Sequence, residues 1–266
     1  MPEQDTGLQR NTRDQFYTRP DVADLCLERL RLHAPGSTVW IEPSAGEGVF
    51  LTRVPGAIGY DIDPKHPDIR QADFLKTDLP AGCVIFGNPP FGRQGSLAKK
   101  FIGHASRSAA AIGFILPRSF TKPSMQKAFP PSFHLVEELP LPDPAFVVNG
   151  QPHSVPCVFQ VWMKRETPRE TPPGVLPEGF SFVKKTEPHD LAFRRVGGTA
   201  GRCSLPAESL KVQCHYFIRL EDSSCIENVI AQSLAHVFPT NTTGPRSLSK
   251  DEATRFLNTA IAHATA

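Results

Sequence analysis

The 266-residue sequence predicts a doubly wound α/β fold followed by a small α+β module. Three observations predict it. Short apolar runs of strand length end in turns rich in Gly, Pro or Asp; segments with helical periodicity separate them; and a Pro-rich, charged stretch over 165–180 divides a larger unit, 1–164, from a module of 181–266.

Asp21 to His33 places Val22, Leu25, Cys26, Arg29 and Leu32 at helical spacing, with Pro20 as a first-turn residue, so a helix opens the chain. Ser37–Ile41, Ala57–Asp61 and Cys83–Gly87 read as buried strands of a parallel sheet. Leu97–Ser106 fits a helix, Ala110–Leu116 a strand, Lys122–Phe129 a helix and Phe133–Leu139 a strand. The Asn149-Gly150 turn signal and the Val-, Phe- and Trp-rich run Ser154–Met163 predict an antiparallel return beside the preceding strand. Past the Pro-rich stretch, Leu191–Val196 and His215–Leu220 read as strands. Ile226–Val237 and Ser249–His263 read as helices, the latter opening on a capping box of Ser249 and Glu252.

Composition bounds the function. With 39% hydrophobic and 21% charged residues the chain is globular, and no apolar run reaches the roughly 20 residues that span a bilayer. The N-terminus lacks the basic and apolar regions of a secretory signal, so a soluble intracellular protein, cytoplasmic or nuclear, is expected. Six scattered cysteines without a Cys-x-x-Cys pair suit free thiols in a reducing compartment, and no metal-ligating set is assigned. The net charge of +2 is small, yet residues 91–127 carry Arg93, Lys99, Lys100, Arg107, Arg118, Lys122 and Lys127 with no acid. That run either faces phosphates or solvates helix surfaces.

The chemistry gathers after the first three strands, where an open parallel sheet puts its ligand crevice. Glu42-Pro43-Ser44-Ala45-Gly46-Glu47-Gly48 is a turn whose glycines permit close approach of a cofactor, or an ordinary strand-to-helix turn. Asp61, in Gly59-Tyr60-Asp61-Ile62-Asp63, is placed to accept from two ribose hydroxyls, and is preferred to Asp63. Asp73 either accepts from an adenine amino group, with Phe74 stacking on the ring, or caps a helix.

Gly87-Asn88-Pro89-Pro90-Phe91-Gly92 answers a specific problem. An adenine amino group is a poor nucleophile because its lone pair is delocalised into the ring. Two acceptors on its hydrogens, the Asn88 side-chain oxygen and the Pro89 carbonyl, would localise that pair toward a methyl sulfonium. The prolines, Pro89 and Pro90, fix the loop, and Phe91 offers a flat face to an extruded base.

On these motifs the chain resembles the class I amino-methyltransferases that act on adenine in DNA or RNA. The likeness covers roughly residues 14 to 164 and includes Asp14-Gln15-Phe16-Tyr17-Thr18-Arg19-Pro20, which looks like the family's N-terminal cofactor motif. The resemblance implies a seven-stranded, Rossmann-like, mostly parallel sheet whose last hairpin is antiparallel. It implies S-adenosylmethionine as cofactor, and transfer of its methyl group to N6 of adenine in a nucleic acid, DNA ranking before RNA, that presents the base unpaired or flipped. Asn88, Pro89, Pro90 and Phe91 would be catalytic. Tyr17, Thr18, Glu42, Ser44, Gly46, Asp61, Ile62, Asp73 and Phe74 would bind the cofactor, with Tyr17 and Thr18 bordering its methionine moiety and Glu42 standing where the family often has Asp. The module past residue 180 falls outside the likeness; target recognition is its expected task.

Three other readings remain. A protein-glutamine methyltransferase uses a similar loop, usually with Tyr at the position of Phe91. A non-catalytic subunit of the same fold has little need for both Asp61 and Asn88. A dinucleotide oxidoreductase would require a Gly-x-Gly-x-x-Gly that the first strand does not provide.

Overall fold

A computed structural model describes residues 16–34, 36, 39–170, 174–240 and 245–265. The chain divides into two compact units, 1–171 and 172–266.

The first unit runs β1 (Tyr17–Thr18), α1 (Pro20–Arg31), β2 (Trp40–Glu42), β3 (Ile58–Asp61), β4 (Ile69–Gln71), β5 (Val84–Gly87), α2 (Ser96–Ala105), β6 (Ala111–Pro117), α3 (Pro123–Gln126), β7 (Phe133–Pro140), β8 (Phe146–Val148), β9 (Gln151–His153) and β10 (Cys157–Lys164). Seven strands form one sheet in the order β4-β3-β2-β5-β6-β10-β7. β4, β3, β2, β5 and β6 are mutually parallel, while β10 inserts antiparallel between β6 and β7. This is the mixed, Rossmann-like sheet with an antiparallel final hairpin that the sequence predicts.

The core follows from alternation along strands covered on both faces. Every residue of β6 is buried: Ala111 and Ile115 join one apolar cluster with α1, while Ile112, Phe114 and Leu116 join the opposite one with α2. Gly113 leaves room for Leu30 of α1, since an added Cβ would lie 2.9 Å from its side chain. The stripe that α1 buries is Val22, Ala23, Cys26, Leu27 and Leu30; the expected Leu32 is 65% exposed, because the stripe drifts round the helix from the spacing read in the sequence.

Several elements differ from expectation. β4, three residues at the sheet edge, is too short to show a period. The Asn149-Gly150 turn, both residues at positive φ, closes the small hairpin β8–β9 rather than the hairpin that β10 makes with β7. β8 also pairs with β1, which builds a separate three-stranded sheet. The helix expected over 122–129 shrinks to four residues, and Phe129 is buried in a stack on Trp162 at 4.1 Å. Ser37 and Thr38 of the first expected strand, and Asp14 and Gln15 of the N-terminal motif, lie outside the described residues. Arg169 fastens the end of this unit by donating to the carbonyls of Gln126, Phe129, Pro130 and Phe133.

The second unit contains β11 (Phe180–Val183), β12 (Leu191–Arg194), β13 (Cys203–Ser204), β14 (His215–Leu220), α4 (Ile226–Ala235) and α5 (Lys250–Thr265). Its antiparallel sheet has the order β11-β14-β12-β13, so two short strands join the two expected ones. Phe193 and Ile218 pack with Val229 of α4 and Leu257 of α5. The capping box of α5 is reciprocal: the Glu252 N–H donates to Ser249 Oγ, and the Ser249 N–H to Glu252 Oε2. Among the described residues the cysteines are free, and no helix is long and apolar enough to cross a membrane.

Candidate functional site

The strand order reverses at β2, which has β3 on one side and β5 on the other. The loops leaving the carboxyl ends of adjacent strands diverge at such a point and open a crevice. A cavity of about 810 Å³ lies there. Its lining includes Tyr17, Thr18, Glu42, Ser44, Gly46, Asp61, Ile62, Asp73, Phe74, Asn88 and Pro90. Of the expected site residues, Pro89 and Phe91 do not line it.

The glycine-bearing loop after β2 is shaped by backbone conformation. Gly46 has φ +52°, and an added Cβ would lie 3.3 Å from the Tyr17 ring, so glycine lets β1 close over this loop. The Gly46 N–H donates to Asp61 Oδ2 at 2.8 Å, while the Asp63 N–H donates to Asp61 Oδ1 at 2.8 Å. Two backbone donors thus set the orientation of Asp61, and each oxygen keeps a second lone pair for a ligand. Asp63 is instead ion-paired with Lys65 at 2.9 Å.

Asn88 follows β5. Its Nδ2 donates to the Phe16 carbonyl at 3.0 Å, and because a carbonyl only accepts, this bond fixes which end of the amide is nitrogen. Asn88 Oδ1 is left buried without a hydrogen-bond partner. The Ser44 hydroxyl donates to the Asn88 backbone carbonyl at 3.0 Å, which ties the loops after β2 and β5 together. On the far side the Phe91 carbonyl accepts from the N–H groups of Leu97 and Ala98, anchoring the loop to the start of α2.

Glu42, at the end of β2, is 1% exposed. Burial pushes its carboxyl well above the usual carboxylate range, the neighbouring Asp61 adds to the rise, and a bond from the Leu51 backbone opposes it. Gly87, at φ +124°, allows this close packing, since a Cβ there would lie 3.1 Å from Glu42 Cγ. Glu42 Oε2 has no hydrogen-bond partner, nor has the buried Thr18 Oγ1. Three buried polar atoms without partners therefore belong to residues of one cavity wall. Burial also raises the Tyr17 hydroxyl pKa, with Glu47 the next cause.

Phe91 and Phe74 are buried rather than open to a ligand's face, and Asp73 takes the capping role that is one of its two readings. Phe91 is 8% exposed and packs in the core with its ring 6.4 Å from Phe16; the ring lining the cavity beside Asn88 is that of Phe16. Phe74 is buried, stacked on Phe101 at 5.3 Å and edge-on to His104. Asp73 caps a single 3-10 turn, accepting from the Leu75 N–H at 3.1 Å, with Lys76 Nζ at 3.4 Å. Ile62, by contrast, is 70% exposed at the cavity rim, an open apolar face. Phe16, Val49, Phe50, Leu97 and Phe101 also line the cavity; in the sequence they are apolar residues like those of the core, with no signal that separates a cavity wall from a packed interior.

The lining is acidic. Glu42, Glu47, Asp61, Asp63 and Asp73 contribute carboxyl groups, and no Lys, Arg or His lines the cavity among the described residues.

No protein-family model matches the sequence, and no curated protein matches it. Among solved structures the chain is similar to a Pyrococcus horikoshii protein provisionally named an RNA methyltransferase, at 16% identity, 60% coverage of this chain and 92% of that one, TM-score 0.45. It is also similar to the 23S rRNA methyltransferase ErmE, at 17% identity, 57% and 71% coverage, TM-score 0.42. The M protein of the type I restriction enzyme EcoKI is similar at 17% identity, 56% and 44% coverage, TM-score 0.42. The fold assignment rests on the strand order described above.

Proposed function

We propose that this chain is an S-adenosylmethionine-dependent methyltransferase acting on the N6 amino group of adenine in a nucleic acid. The observation that carries the reading is the convergence of three unpartnered buried polar atoms, Thr18 Oγ1, Glu42 Oε2 and Asn88 Oδ1, in residues lining one crevice at the switch point of the sheet. Leaving a buried polar group unpaired costs about 1–3 kcal/mol. Three together fit a ligand that supplies the missing partners.

The cofactor fits the donor set. An acidic wall without basic side chains favours a ligand carrying ammonium and sulfonium cations over a dinucleotide, whose pyrophosphate would face five carboxyl groups. Glu42 and Thr18 would hold the methionine end, Tyr17 and Gly46 would border it, and Asp61 would accept from the ribose hydroxyls with its remaining lone pairs. Ile62, with Phe74 behind it and Asp73 beside it, would form the adenine end. When bound, S-adenosylmethionine supplies an electrophilic methyl group.

The chain's own part is to present the nucleophile. Asn88 Oδ1, held in place by the Phe16 carbonyl, would accept one amino hydrogen of the target base and direct its lone pair into the cavity; Pro89 lies outside the cavity lining, so its carbonyl would serve as the second acceptor only from the loop behind Asn88. Pro90 and Phe16 would wall the base. Phe91 would act from the core, holding the loop against Phe16. Calorimetric titration with S-adenosylmethionine and with NAD tests the cofactor assignment: binding of the first and not the second is expected, and the reverse overturns it.

A further inference from the structure

We infer that the first unit carries its own surface for a nucleic-acid backbone, formed by Arg93, Lys99, Lys100 and Arg118 beside the mouth of the cavity. This rests on the proposed function, which requires a polyanionic substrate to deliver a base to Asn88.

Arg93 lies in the turn after the Asn88 loop, and Lys99 and Lys100 lie on α2, the helix whose Leu97 and Phe101 help wall the cavity. Arg118 follows β6, the parallel neighbour of β5, so it leaves the same carboxyl edge of the sheet. The two loops are packed together, since a Cβ on Gly95 would lie 2.9 Å from the Phe120 ring. All four cations are exposed, and none makes an ion pair with a carboxylate among the described residues. A solvated helix face usually intersperses acids that pair with its bases, whereas residues 91–127 contain none. The polarity of the site is therefore split: carboxyl groups line the cavity, and cations with no carboxylate partner among the described residues stand beside it. A cationic small ligand suits the former, and a chain of phosphates the latter.

Salt dependence reads the number of phosphate contacts directly. Fluorescence anisotropy with labelled single- and double-stranded DNA and RNA oligonucleotides, over a salt series, compares the 266-residue chain with its variant Lys99→Gln/Lys100→Gln/Arg118→Gln. The control, Lys164→Gln/Arg165→Gln, also removes exposed positive charge, but from the opposite edge of the sheet, where β10 ends against Ala110. The triple variant should lower the slope of log K against log salt by roughly 1 for each lost contact, about 3 in all, with cofactor binding unchanged. The control should keep the wild-type slope. Equal slopes for wild type and triple variant overturn the surface while leaving the methyltransferase reading intact. If wild type binds no oligonucleotide yet still binds S-adenosylmethionine, the nucleic-acid part of that reading falls, and the surface with it.

Discussion

Two buried polar regions of the first unit solve the same problem in opposite ways. Within β10, Gln160 is fully buried and fully used: its Nε2 donates to the Phe120 carbonyl at 3.1 Å and to Glu138 Oε2 at 2.7 Å, and its Oε1 accepts from Trp162 Nε1 at 3.0 Å. At the carboxyl edge, Thr18, Glu42 and Asn88 are also held by the fold, yet each keeps one polar atom without a partner. The same sheet that satisfies one buried amide leaves another half-used, and the half-used one faces a cavity. Among the described residues of this unit the unpartnered buried side-chain atoms belong to residues of this one cavity, and they mark where a ligand completes the structure.

Breaking the comparison at its functional end should have the largest effect. Asn88→Ala removes the acceptor that matters most as positive charge develops on the attacking nitrogen. Single-turnover methyl transfer should fall about a hundredfold or more, with S-adenosylmethionine affinity nearly unchanged. A wild-type rate would remove Asn88 from the mechanism.

At the structural end, Gln160→Ala strands the Trp162 N–H and leaves a cavity in the sheet. The folded state should lose roughly 2 kcal/mol or more in denaturant unfolding, while the cofactor dissociation constant of the folded fraction stays the same. Equal damage to binding would show that the two regions are coupled.

Glu42→Gln should do the reverse. It removes a buried carboxyl that burial already disfavours in its charged form, so ligand-free stability should hold or rise, while S-adenosylmethionine binding weakens by about 2 kcal/mol, the scale of a charge-assisted hydrogen bond. Unchanged calorimetric affinity would move the ammonium contact elsewhere.

The smallest effect is on pH dependence, and its sign separates two carboxyl groups. Glu42 ionises later in the fold than its ordinary value of 4.5, so its contribution to stability is full below that value and declines as pH rises. Glu137 goes the other way: a hydrogen bond with His33, and then the Arg29 guanidinium, hold it below the usual range, so its contribution is full at neutral pH and is lost on acidification. The thermal midpoint of Glu42→Gln relative to wild type should rise with pH above about 4.5; that of Glu137→Gln should lie below wild type at pH 7 and approach it in acid. Parallel pH curves for the two variants would contradict the assignment.

Much of this was legible in the sequence, and the physics says which part. Strands buried on both faces and bounded by Gly, Pro and Asp announce a parallel sheet, and chemistry attached to the ends of such strands converges, so the sequence alone puts Glu42, Asp61 and Asn88 in one crevice. Pairing between short distant segments was not legible: β1 meets β8 across more than a hundred residues, and neither has a period of its own. That pairing decides which aromatic borders the cavity beside Asn88. Phe91 has the motif position, yet β1 brings Phe16 to the wall and Phe91 packs behind it. Asp73 was open for a related reason, since a loop aspartate caps a turn as readily as it lines a site, and here it does both, accepting from the Leu75 N–H at the cavity wall.

The central claim is that Asn88 presents an adenine amino group to a methyl donor held by Glu42 and Asp61. Mass spectrometry of nucleosides, after wild type and Asn88→Ala are incubated with DNA and with RNA and methyl-labelled S-adenosylmethionine, tests it most directly. The account predicts labelled N6-methyladenine, as its deoxyribose or ribose nucleoside, with wild type and its near-absence with the variant. Label in another base, or on glutamine of a protein substrate and in no nucleoside, would contradict it.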